Sequence, residues 1–141
     1  MALGDGTIIQ KLDYVSESVI IECENFVKGV FNSTKKTYSF QITKDMKYAM
    51  LNFDSSKVHG TMKMTSITPP HFSDGTVLGV NEPNPESINL APGLYYNQPM
   101  AGATVEIDAT LASGKRVAFH GSGGHGRLWA VDSWFVYLFL L

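Results

Sequence analysis

Phe119-His120-Gly121-Ser122-Gly123-Gly124-His125-Gly126-Arg127-Leu128-Trp129-Ala130-Val131-Asp132-Ser133-Trp134 is the stretch on which the reading of this chain turns. A β-prone run, Arg116 to His120, feeds a segment with four glycines in six positions, expected to be a loop, and two tryptophans five residues apart follow. Glycines at that density allow positive φ and close backbone approach. His125, Arg127 and Asp132 form a polar cluster among large aromatics, in the manner of a pocket wall. A phosphate-binding loop would need Gly-x-x-x-x-Gly-Lys-Ser/Thr, and no Lys follows these glycines. The dinucleotide spacing is matched only loosely, with no helix or βαβ unit after it. A nucleotide site is excluded.

The remainder of the chain sets the fold class. No window carries a 3.6-residue apolar period or a capping box. Short β-prone runs alternate with turn residues instead. Thr7 to Leu12, Ser18 to Glu22 and Asn25 to Phe31 read as the first strands. In Lys36 to Thr43, Tyr38, Phe40 and Ile42 share one face. In Lys47 to Phe53, Tyr48, Met50 and Asn52 oppose Ala49, Leu51 and Phe53. Lys57 to Thr68 puts Val58, Gly60, Met62, Met64 and Ser66 on one face, before Pro69-Pro70 ends the run. Small residues and methionines suit a cavity of irregular shape, although the same face also suits ordinary core packing. A loop rich in Pro, Asn and Gly reaches Ser87. Ile88 to Gln98 brings Tyr95 and Tyr96 together, and Pro99 to Gly102 is read as a turn into Ala103 to Leu111, the next strand. Ala112-Ser113-Gly114 then closes a hairpin. This is an all-β chain, expected to be an antiparallel β-sandwich or an open lipocalin-like β-barrel.

Composition narrows the partners. At 141 residues, 44% hydrophobic and 17% charged, the chain fits a single globular domain over residues 1–141. A net charge of −2 offers no basic footprint for nucleic acid. Cys23 is the one cysteine, read as a buried thiol, so no intramolecular disulfide or multi-Cys zinc site forms. The N-terminus lacks the basic and apolar regions of a signal peptide, and Phe135 to Leu141 is too short to cross a bilayer. The default expectation is a soluble cytoplasmic protein without a membrane partner. Trp134 to Leu141 is an apolar strand without the charge or Pro that protects an edge, so the expectation is either that a second copy, a second chain or a continuation of this one covers it, or that the sequence is a fragment.

Catalytic signatures are sparse. His120 and His125 can converge across the glycines, but no third metal ligand can be named, and no metal is assigned. Ser122 lacks the spacing of a nucleophile elbow. Glu106 and Asp108 alternate outward as solvated charges do.

Ala91-Pro92-Gly93-Leu94-Tyr95-Tyr96-Asn97-Gln98-Pro99-Met100-Ala101-Gly102-Ala103, followed by Phe119-His120-Gly121, Gly123-Gly124-His125-Gly126-Arg127-Leu128-Trp129 and Trp134, resembles the lipocalin-like fungal Diels–Alderases. That group is related to carotenoid 1,2-hydratases and AttH-type proteins. The Gly-Gly-His-x-x-x-Trp element is the most specific part, and the likeness runs from about Phe31 to Tyr137. It implies that the chain corresponds to part of the N-terminal domain of a larger two-domain β protein, with substrate held between the domains. Gly126 stands where the family often has an acid after the histidine. The implied reaction is intramolecular [4+2] cycloaddition of a linear polyene polyketide to a decalin, in secondary-metabolite biosynthesis and without a cofactor. The expected wall against an apolar polyene substrate is Tyr48, Met62, Met64, Tyr95 and Trp129, with His125, Tyr96 and Ser66 as hydrogen-bond donors. Two alternatives stay open: a non-catalytic lipocalin-like binding module or partner subunit, and a terpenoid hydratase or isomerase using Asp132 or His125 as acid.

Overall fold

A computed structural model describes residues 15–130 apart from 79, 81–83 and 85. The expected strand at Thr7 to Leu12, the Asp132 acid and the Trp134 to Leu141 strand lie outside the described residues. Within them, nine strands form one antiparallel sheet: β1 (Glu17–Glu22), β2 (Phe26–Ser33), β3 (Lys36–Thr43), β4 (Tyr48–Ser55), β5 (Val58–Ser66), β6 (His71–Phe72), β7 (Asn89–Ala91), β8 (Leu94–Leu111) and β9 (Arg116–Ala130). Strands β1 to β5 run as a meander, β5 pairs β8, and β8 pairs β6, β7 and β9. Among the described residues β1 and β9 do not pair, so the sheet is open.

Strand β8 is the hub, and it corrects two expectations. Pro99 to Gly102 does not turn the chain; it lies inside one strand of 18 residues. The register against β9 slips by one residue between Asn97 and Met100, and again between Met100 and Ala103. Each slip is a β-bulge, where the extra residue needs no ladder partner and Pro is tolerated. A strand of 18 residues spans about 60 Å if straight, and bulges let it bend instead. The glycine-rich segment is the second correction. It is strand, not loop: Gly121, Gly123, Gly124 and Gly126 all lie in β9, paired along β8.

Three of these glycines, Gly123, Gly124 and Gly126, give clearance rather than unusual φ. A Cβ on Gly123 would come within 2.9 Å of Val105 Cγ2, and one on Gly124 within 2.8 Å of the Met100 carbonyl oxygen. Among the described residues, positive φ is confined to the tight turns, at Gly93 (73°) between β7 and β8 and at Gly114 (80°) between β8 and β9, and to Gly75 (87°) and Met46 (57°).

Side-chain alternation gives the sheet two unlike faces. On one, cross-strand register aligns Val27, Ile42, Ala49, Met64 and Val105 across β2 to β5 and β8. Ile42, Ala49, Met64 and Val105 form the core with Met100 and Ala103, which are fully buried, and Val27, Phe40, Met62 and Ile107 pack against it. On the other face the corresponding row is Gln41, Met50, Lys63, Glu106 and His120, which is mostly polar. Cys23 is half-buried just after β1, not enclosed in a core.

Candidate functional site

The apolar face carries a cleft of about 400 Å³. Its wall is built from Phe40 and Ile42 of β3, Ala49 and Leu51 of β4, and Met62 and Met64 of β5. Gly124, His125 and Arg127 of β9 close one side. The lining follows from the period of two: alternate residues of four strands share a face, and the bulges in β8 carry β9 over them. An apolar wall with a few polar groups at one side is the usual make-up of a small-molecule site, and 400 Å³ is within the usual range.

His125 sits in register opposite Met100, which is completely buried. Burial, with the Arg127 charge as the smaller cause, holds its imidazole below the ordinary value of 6.5. At neutral pH the ring is therefore uncharged, with one N–H to donate and one nitrogen to accept. Two residues along the same strand, Arg127 lines the same cleft.

Of the eight residues expected at the site, Met62, Met64 and His125 come together. Tyr48 does not join them. It falls in register with Thr65, which pairs Thr104, on the face opposite the cleft. Tyr96 is likewise turned away: its ring lies over Gly126, where an added Cβ would be 3.3 Å from the Tyr96 hydroxyl oxygen, while His125 faces the cleft. Ser66 is on the cleft-bearing face, but its hydroxyl donates to the Thr68 carbonyl (2.7 Å) and lies 3.3 Å from the Gly102 carbonyl. A serine has one proton to give, so Ser66 ties the end of β5 chiefly to the segment that follows it. Tyr95 lines a separate shallow pocket of about 280 Å³ beside the β7–β8 turn. Trp129 pairs with Tyr95 in backbone register.

Arg127, read from the sequence as part of a polar pocket wall, does line the cleft, while Phe40, Ile42, Ala49 and Leu51 are cleft residues that single-strand reading did not assign to the site. Their faces were readable from alternation, but the cross-strand register that joins them was not. The opposite face has a shallow charged groove in which Arg116 makes a bidentate pair with Asp108 (2.8 and 2.7 Å) and holds its carboxyl below the usual range. His120 approaches Glu106 at 3.9 Å there. Among the described residues, no group of three or more His, Cys, Asp and Glu converges as metal ligands would, and no helix is long and apolar enough to cross a membrane.

A family model described as Diels-Alderase-like matches residues 1–139. A hexane cyclase from Xenoacremonium sinensis is 48% identical over 134 residues, covering 95% of this chain and 31% of the relative. A Diels-Alderase from Thermothelomyces thermophilus is 37% identical over 141 residues, covering 96% of this chain and 32% of its own. The chain thus spans about a third of the length of these relatives. Among solved structures, that of CghA superposes with a TM-score of 0.73 over 94% of this chain and 36% of CghA, at 23% identity, a likeness of fold.

Proposed function

Because the chain belongs to the Diels-Alderase-like family, we propose that it serves an intramolecular [4+2] cycloaddition, folding a linear polyene polyketide into a decalin in fungal secondary metabolism. The observation that carries this reading is the apolar cleft: Met62 and Met64 face His125 across a space of about 400 Å³. The names of the relatives, hexane cyclase and Diels-Alderase, support it.

The chemistry asks little of the protein beyond shape. Diene and dienophile belong to one flexible chain, and the main barrier the site can lower is the entropy of bringing their termini together. Holding them in a near-attack fold supplies that ordering in advance. The flat wall of Phe40, Ile42, Ala49, Leu51 and the two methionines gives the polyene a surface to fold against, and methionine side chains adapt to its curvature. An uncharged His125 can donate its N–H to the dienophile carbonyl, drawing electron density from the alkene as the new bonds form. No proton is transferred and no covalent intermediate forms. The cycloaddition requires no cofactor chemistry.

The same reading makes residues 1–141 one β domain of a larger two-domain architecture, whose second part closes the open side of the cleft. The greater length of the relatives, of which this chain covers about a third, supports that organisation. Incubation with a linear polyenoyl tetramic acid tests the proposal by loss of diene absorbance and by the diastereomer ratio of the product. The expected result is faster cyclisation with one decalin diastereomer enriched. A rate and ratio equal to those in buffer, with the chain alone and with its full-length counterpart, overturns it.

A further inference from the structure

We propose that Arg127 anchors an anionic head group of the ligand at one end of the cleft, and so sets the direction in which the polyene is laid on the wall. The inference rests on the cleft being a polyene site, as above, and adds a specificity-determining residue.

Arg127 lines the cleft two residues from His125, at the polar side of an otherwise apolar wall. Among the described residues it has no carboxylate partner, whereas Arg116, the other arginine, is held bidentately by Asp108. Its charge already acts on the cleft, because it helps disfavour a second cation at His125.

The complementary ligand end is an anionic oxygen for the guanidinium, as a carboxylate or the enolate of an acidic 1,3-dicarbonyl supplies. A guanidinium beside apolar walls binds such an anion more strongly than one in open water, since competing solvent is reduced. With the head fixed at Arg127, the chain extends past His125 toward Met62 and Met64. The reacting carbons then lie a set number of bonds from the anchor.

Fluorescence titration with a conjugated tetraenoic acid and its methyl ester tests this on the whole chain. Wild type is expected to bind the acid about tenfold more tightly than the ester, with salt weakening only the acid. Arg127→Gln should remove that preference and leave ester affinity within about twofold, which also reports an intact cleft; Arg127→Lys should keep part of it. If acid and ester bind wild type equally, or Arg127→Gln leaves their ratio unchanged, the anchor is wrong while the cleft reading survives. If no probe binds, both fall.

Discussion

Gly60→Ala is the sharpest test of how β5 and β8 are joined beneath the cleft. Gly60 pairs Ala109, and a Cβ built on it would lie 2.3 Å from the Asp108 carbonyl oxygen, 2.6 Å from Ala109 Cα and 2.8 Å from Ala109 Cβ. Optimal carbon contacts lie at about 3.5–4.0 Å, so the two strands must part by roughly 1 Å. The obstacle is backbone, which has no rotamer to move into. The ladder it sits in runs from Val58 opposite Leu111 to Ser66 opposite Ala103, and a local widening weakens the adjoining hydrogen bonds. Overpacking of this kind costs about 1–3 kcal/mol. The control is Gly121→Ala, where a Cβ meets nothing within 4 Å. It should be neutral or stabilise by up to about 1 kcal/mol, because Ala loses less backbone entropy than Gly. Gly124→Ala, against the Met100 carbonyl at 2.8 Å, should fall between them. Urea unfolding reads the order from the midpoints at constant slope. Equal midpoints for Gly60→Ala and Gly121→Ala would refute the β5–β8 packing.

Ser66→Ala should cost about 1 kcal/mol by freeing the β5 end, yet leave polyene affinity unchanged in a titration; lost affinity would return Ser66 to the substrate. For His125 the sign follows from its lowered pKa. Below about 6.5 the unfolded chain takes up the proton before the folded one does, so stability should fall as pH drops from about 6.5 through the folded-state value. His125→Gln should flatten the difference between urea midpoints measured at about pH 7.5 and about pH 5. Met64, buried in the core, should cost about 2–5 kcal/mol on truncation to Ala. Half-buried Met62→Ala should cost less while weakening polyene binding, as thermal unfolding and titration together would show.

Much of the fold was legible because strands announce their faces. Phe40 and Ile42, Ala49 and Leu51, Met62 and Met64, and Val105 and Ile107 each alternate with outward residues, and the structure keeps every one of these pairs on a common face. Local signals misled where tertiary pairing overrode them. Pro99 and Gly102 carry turn chemistry, yet β5, β6 and β9 flank that segment and hold it extended through bulges. Gly121 to Gly126 read as a loop because glycine density usually means unusual φ, whereas here Gly123, Gly124 and Gly126 make room for Val105, the Met100 carbonyl and the Tyr96 ring. The site was legible in part for the same reason. Met62, Met64 and His125 converge, but Tyr48 and Tyr96 fall on the far face, since an aromatic in a strand says nothing of parity until its ladder is known. Arg127 was visible as one of a polar cluster; its isolation from carboxylates among the described residues was not.

The central claim is that the face bearing Met62 and Met64 holds the polyene. Carbon-13 methyl labelling of the six methionines reads this directly, because Met62 and Met64 line the cleft while Met50 lies on the opposite face. Titration with a linear conjugated polyene should shift the Met62 and Met64 methyl resonances in proportion to occupancy and leave Met50 in place. Shifts at Met50 with Met62 and Met64 unmoved at saturation would contradict the account.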